Sequence, residues 1–186
     1  ADGVVVPLFS QIPAVHDRIT GRPMSFLQAL AGMKAIAKAG LSVEIEVPLL
    51  APRLQSLEAL VEQARKVVPT LRAVRFFVPS FAVPPALAPP PWSQIAPSLA
   101  RVLARCREQG IKTPLTASEG VPLCALREHP DLYDLYRFNP KARTSTWGGS
   151  VHGEACRTCA VKAQCTGLAV SYRAANGEAD IVPYAQ

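Results

Sequence analysis

Apolar runs and amphipathic stretches alternate through residue 117, and this alternation narrows the fold more than any other feature of the chain. Val4-Val5-Val6-Pro7-Leu8-Phe9-Ser10 is continuously apolar up to its last residue, as a strand covered on both faces requires, and Pro7 suits a sheet edge. Val43-Glu44-Ile45-Glu46-Val47 alternates with period two, its glutamates either solvated or lining an interior. Ala73-Val74-Arg75-Phe76-Phe77-Val78 is a third strand, and Ile111 to Ala117 a fourth.

The intervening stretches have helical period. Leu27, Leu30, Met33, Ile36 and Ala37 share one face of a helix that opens on Ser25-Phe26-Leu27-Gln28, with capping-box spacing, and stops at Gly40. Ser56 is placed to cap a helix carrying Leu57, Leu60, Val61, Ala64 and Val67, with Pro69 beyond it. A third helix carries Ile95, Leu99, Val102 and Leu103 and ends at Gly110. Consecutive strands joined by such helices run parallel, with right-handed crossovers. The expected class is therefore α/β, a partial (β/α) half-barrel of parallel strands, with its functional edge where the strands end, at residues 10–23, 49–54, 79–91 and 118–124. Gln11 to Pro23 reads as a polar loop, and the proline-rich residues 79–91 as a stiff crossover or the wall of a site.

From residue 119 the periodicity fades, which divides the chain into a barrel-like part, 1–118, and a small Cys-rich appendage, 119–186. Asp131 to Phe138 has room for a short helix, and Lys141 to Ser150 reads as a loop. A helix is expected from Gly167 to Arg173, closed by Gly177, which would set Cys165 near a helix N-terminus whose dipole favours a thiolate.

The chemistry of the appendage lies in Cys156-Arg157-Thr158-Cys159, five residues, then Cys165. Thiolates this close repel one another unless a cation sits between them, so a soft metal is expected. Such sites usually take four ligands. Cys124, on the exit of the fourth strand where a later segment can fold back, is the candidate for the fourth, and His152 is its rival. Three cysteines and a histidine point to zinc, whereas four cysteines leave zinc and iron-sulfur both open. Cys106 reads as a small core residue of a helix.

The five cysteines are an odd number without a secretory context, so a reducing, cytoplasmic compartment is expected. The formal charge of +6 is spread along the chain with no dense cluster, and nucleic acid is not expected as a partner. No apolar run reaches the length of a membrane span, and a membrane partner is not expected either. The opening Ala1-Asp2-Gly3-Val4 has no initiator Met and no signal segment, and the chain reads as a piece of a longer one. His16-Asp17 is either an acid-base pair or a loop cap, with capping the expected role, and His129-Pro130 is a solvated turn. The chain has no Gly-rich phosphate loop and no recognisable Ser/His/Asp motif.

Val6-Pro7-Leu8-Phe9-Ser10, leading to His16-Asp17-Arg18-Ile19-Thr20-Gly21-Arg22-Pro23 and then Ser25-Phe26, resembles the middle of a radical SAM enzyme. Cys156-x2-Cys159-x5-Cys165-x-Gly167, with Tyr172 and Gly177 downstream, is similar to the SPASM or twitch segments that bind an auxiliary 4Fe-4S cluster in that family. Gly120-Val121-Pro122-Leu123-Cys124 resembles the place where those segments take their first ligand. The resemblance implies the C-terminal part of such an enzyme, with Cys124, Cys156, Cys159 and Cys165 holding one auxiliary cluster. It also implies a barrel rim on which Ser10, Glu46, Ser80 and Glu119 contact S-adenosylmethionine or substrate in the complete enzyme. A peptide is one substrate class it brings with it, and the N-terminal half of the same enzyme is the partner it requires.

The departures are specific. The chain has no Cys-x3-Cys-x2-Cys, so it lacks the cluster that cleaves S-adenosylmethionine, and the two strands that precede in the family are absent. Met24 replaces a small residue, and Ala169 stands where SPASM proteins have a further cysteine. The alternative, from a different class, is a zinc-stabilised α/β binding or regulatory module without catalysis.

Overall fold

The structure, a computed structural model, describes residues 3–51, 56–115, 120–134 and 149–185. Strands β1 (Gly3–Pro7), β2 (Ser42–Pro48) and β3 (Ala73–Phe77) form a parallel sheet in the order β1-β2-β3. Val6 lies opposite Ile45, and Ile45 opposite Val74. The protein is thus mixed α/β, with sequential strands side by side and β1 at an edge, where Pro7 costs the ladder least.

The expected fourth strand shrinks, among the described residues, to a single parallel bridge of Lys112 with Ala73. Val74 donates its N–H to the Lys112 carbonyl at 2.9 Å, and Lys112 donates to the Arg72 carbonyl at 3.0 Å. Pro114, two residues on, has no N–H to continue the ladder. Residues 116 and 117 of that expected strand lie outside the described residues.

Helices α1 (Pro13–Thr20), α2 (Ser25–Lys38), α3 (Leu57–Val67) and α4 (Trp92–Glu108) follow the strands. Val43, Ile45, Val47, Val74 and Phe76 point from one face of the sheet into a core shared with Met33, Leu60, Ala64, Leu99 and Leu103. The same core takes in Leu123, Leu168, Tyr172 and Ile181, so the Cys-rich part packs on the first without a break in the apolar interior. The alternate residues Glu44, Glu46 and Arg75 occupy the opposite face, half-exposed. There both Nε and Nη2 of Arg75 donate to Glu44 Oε2, at 3.1 and 2.9 Å.

Two local expectations change. The stretch read as a polar loop contains α1, bracketed by Pro13 at its first position and by Gly21 at φ 68° after its last. Proline loses nothing at a helix start, and glycine takes the left-handed exit without strain. The Ser25 capping box does not form, because Ser25 is already helical and Met24, at φ 64°, holds the cap position. Asp17 caps this helix instead: its Oδ2 accepts the Met24 N–H at 2.6 Å, and its Oδ1 accepts the Phe26 N–H at 2.8 Å and the Ser25 hydroxyl at 2.9 Å. These bonds, led by that from Phe26, hold the Asp17 carboxyl below its usual pKa. His16 lies buried between Phe9 and Phe26, edge-on to both rings, and its Nδ1 accepts the Phe9 N–H at 3.3 Å. Burial lowers its pKa, against the opposing pull of Asp17. The His16-Asp17 pair is therefore used in packing and capping. Ser56 caps α3 as expected, accepting the Ala59 N–H.

The tail docks on the proline-rich crossover. Helix α5 (Val170–Asn176) donates from the Ser171 hydroxyl to the Pro79 carbonyl, and from Asn176 Nδ2 to the Pro89 carbonyl at 2.9 Å. Proline carbonyls have no ladder to join here, and they accept these side chains instead. No helix among the described residues is long and apolar enough to cross a membrane.

Candidate metal centre

Cys124 sits in a 3-10 turn, Leu123–Leu126, directly after Pro122. Cys156 ends a second such turn, Glu154–Cys156, and the Cys159 N–H donates to the Cys156 carbonyl at 3.3 Å, so Cys156 and Cys159 share one tight bend. A third turn, Lys162–Gln164, leads into Cys165. All four are half-buried free thiols, and all four line one small cavity whose apolar wall includes Leu123, Val161, Leu168, Ile181 and Pro183.

Gly167 places the last of these cysteines. At φ 90° it turns the chain so that Leu168–Ala169, strand β5, pairs antiparallel with Ser150–Val151, strand β4. A Cβ at this position would come within 2.4 Å of the Val151 carbonyl oxygen, so only glycine allows the approach. This short pairing delays α5 to Val170, and Cys165 therefore does not stand at a helix N-terminus as expected. Its sulfur is approached instead by the Gly167 N–H, at 3.4 Å.

Burial pushes the Cys124 thiol up to about 12, with Cys165, Cys156 and Cys159 raising it further. Cys165 is likewise raised, chiefly by burial, against the lowering effect of the Leu123 and Gly167 N–H groups. Thiols that oppose each other's ionisation in a water-poor cavity are a donor set for a cation: ionised together they need positive charge among them. The donor chemistry therefore fits a soft metal centre.

His152 lines the same cavity, but its Nε2 lies 2.9 Å from the Cys165 carbonyl oxygen. A carbonyl only accepts, so Nε2 carries the proton and Nδ1 alone keeps a lone pair. Cys106 is elsewhere: it is buried in α4, in the groove against Val61 and Arg65 of α3, where burial raises its thiol to about 11. Among the described residues, no group of three or more His, Cys, Asp and Glu side chains has the geometry to hold a metal ion as it stands.

Of the expected rim residues, Ser10, Glu46 and Ser80 do not line this cavity. Ser10 is fully buried beyond β1, and its Oγ accepts the Ile12 N–H at 3.1 Å. Glu46 is half-buried near the C-terminal end of β2, and Ser80 is half-buried beyond β3, where Gly149 packs on its backbone. Both, with Ser10, mark the C-terminal edge of the parallel sheet. Glu119 lies outside the described residues.

The sequence reading missed the residues that shape the cavity from the chain's end. Tyr133 donates its hydroxyl to the Pro122 carbonyl at 2.6 Å, Tyr184 donates to the Leu123 carbonyl at 3.2 Å, and Ile181 and Pro183 form a wall. The available signal was the apolar run Ile181-Val182-Pro183-Tyr184 after the polar stretch of residues 176–180. Comparison with protein-family models, with curated proteins and with solved structures returns no match.

Proposed function

We propose that the protein carries an iron-sulfur centre, a 4Fe-4S cluster held by Cys124, Cys156, Cys159 and Cys165. The observation that carries this reading is the convergence of four cysteines, from three separate turns, on one apolar-walled cavity. A single zinc ion draws its sulfurs to about 2.3 Å from one point. A cluster with one cysteine on each iron holds them farther apart. Such a cluster supplies one-electron chemistry, tuned by burial and by N–H groups aimed at its sulfurs, and the Gly167 N–H is one such group.

The reading extends to the rest of the chain as part of a cytoplasmic radical SAM enzyme. Residues 1–118 form part of a half-barrel in this reading, and residues 119–186 the auxiliary-cluster segment. Ser10, Glu46, Ser80 and Glu119 lie on the rim that meets S-adenosylmethionine or a peptide substrate once the N-terminal half is present. The sequential parallel order of β1, β2 and β3 supports it, as does the position of Ser10, Glu46 and Ser80 along one edge.

Anaerobic reconstitution with ferrous iron and sulfide tests the centre. The expected product is brown, with about four irons and four sulfides per chain, and a Mössbauer spectrum of a 4Fe-4S cluster. A colourless protein that takes up one zinc per chain and no cluster would overturn this reading in favour of a zinc-stabilised binding module, for which His152 on the cavity wall is the supporting observation.

A further inference from the structure

The C-terminal segment crosses the cysteine cavity and is pinned on both sides of it. Upstream, Asp180 accepts the Tyr172 hydroxyl on Oδ1 and the Ser93 N–H, at 3.1 Å, on Oδ2, which ties it to the start of α4. Downstream, Tyr184 donates its hydroxyl to the Leu123 carbonyl at 3.2 Å, while its own carbonyl accepts the Ala160 N–H at 3.1 Å. The Arg127 guanidinium lies over its ring, 5.5 Å from the centroid. Between the pins, Ile181 and Pro183 line the cavity and Val182 is exposed.

Leu123 adjoins Cys124, and Ala160 adjoins Cys159. We propose that residues 180–184 act as a strap that sets the Cys124 turn against the Cys156–Cys159 bend and closes the centre to solvent, with Tyr184 as the positioning residue. The proposal rests on the reading that these cysteines share one centre. Its physical basis is the number of residues between Cys124 and Cys156: ordering two distant turns in one geometry costs chain entropy, and a residue bonded to both offsets that cost before any metal arrives. The apolar contacts of Ile181 and Pro183 keep water and dissolved reagents from the sulfurs.

Thiol alkylation of the metal-free protein, followed site by site by mass spectrometry, reads the strap independently of any cluster. In Tyr184→Phe, loss of the hydrogen bond to the Leu123 carbonyl should speed alkylation of Cys124 by about 5-fold, while the backbone bond to Ala160 beside Cys159 is kept. In a chain ending at Asp180, exposure of the cavity by removal of Ile181 and Pro183 should speed alkylation of both Cys124 and Cys159 by about 10-fold or more. Cys106, buried between α3 and α4, is the internal control and should be unchanged in both. Unchanged rates at Cys124 and Cys159 in both variants would overturn the strap. Should the shortened chain lose its fold, shown by a matching rise at Cys106, the Tyr184→Phe protein decides alone: a rise confined to the site supports the strap, and none overturns it. The iron and sulfide content of the reconstituted full chain is a separate measurement, so failure of the cluster and failure of the strap are distinguished.

Discussion

Tyr172 stacks on Trp92 with ring centroids 5.0 Å apart and 17° between the planes, and its hydroxyl accepts the Trp92 N–H at 3.2 Å. Trp92 opens α4, where the first N–H groups of a helix have no partner of their own, and Tyr172 and Asp180 supply acceptors for two of them from 80 and 87 residues away. Tyr172→Phe keeps the stack but strands both partners. It should cost about 1–3 kcal/mol in urea unfolding. Tyr172→Ala, which also empties a fully buried site, should cost about 3–5 kcal/mol.

His16 makes stability depend on pH in a defined direction. Its folded pKa lies below the ordinary 6.5, so under pH 6.5 the unfolded chain binds the proton more readily. Its contribution is complete above that value and declines as pH falls toward the lower, folded pKa. Asp17, also depressed in the folded state, acts in the same direction further down, its contribution being complete above 3.8 and lost as pH falls below that value through the folded pKa. Unfolding followed at pH 7, 6 and 5 should therefore show progressive loss in the wild type. His16→Gln, whose amide oxygen can still accept from Phe9, should flatten the profile over this range and leave the loss below pH 3.8 in place.

The cysteines should divide into two classes. Serine in place of Cys124, Cys156, Cys159 or Cys165 should lower bound iron and loosen the chain from residue 120 onward, because metal binding contributes directly to the folding of a segment built of short turns. Cys106→Ala should lower thermal stability through the lost core contact while leaving iron content unchanged. Iron analysis with hydrogen exchange separates the two effects. Equal loss of iron in Cys106→Ala would contradict the division.

Gly167→Ala tests the local geometry. The left-handed backbone alone costs an L residue about 1–3 kcal/mol, and the new methyl group would press on the Val151 carbonyl as well. The β4–β5 pairing should open, with faster amide exchange at Val151 and Leu168 and a weaker hold on the centre through Cys165. Gly21→Ala meets no atom within 4 Å, so it should pay only the backbone term and leave the centre untouched.

Periodicity carried the α/β alternation, the faces of α3 and α4 and most of that of α2, where Leu27 proves exposed and Phe26 buried in its place, because a residue's place in a strand or helix is set largely by its neighbours in sequence. Spacing likewise grouped Cys156, Cys159 and Cys165, which fall within ten residues: the first two share one tight bend, and the third follows the next turn. The α1 helix escaped notice because its polar residues outweigh its apolar ones, although Pro13 and Gly21 mark its ends.

What the sequence determined by itself was local: which of the longer segments form helices and strands, and that Cys156 and Cys159 share a bend with Cys165 close by in the chain. Only the tertiary structure decided that Asp17, rather than Ser25, caps α2, that β5 delays α5 and removes Cys165 from a helix end, and that Tyr172, Asp180 and Tyr184 fasten the tail. Each of these is a bond between groups whose meeting depends on how whole elements pack, and orphan N–H and carbonyl groups take whichever partner that packing brings within reach.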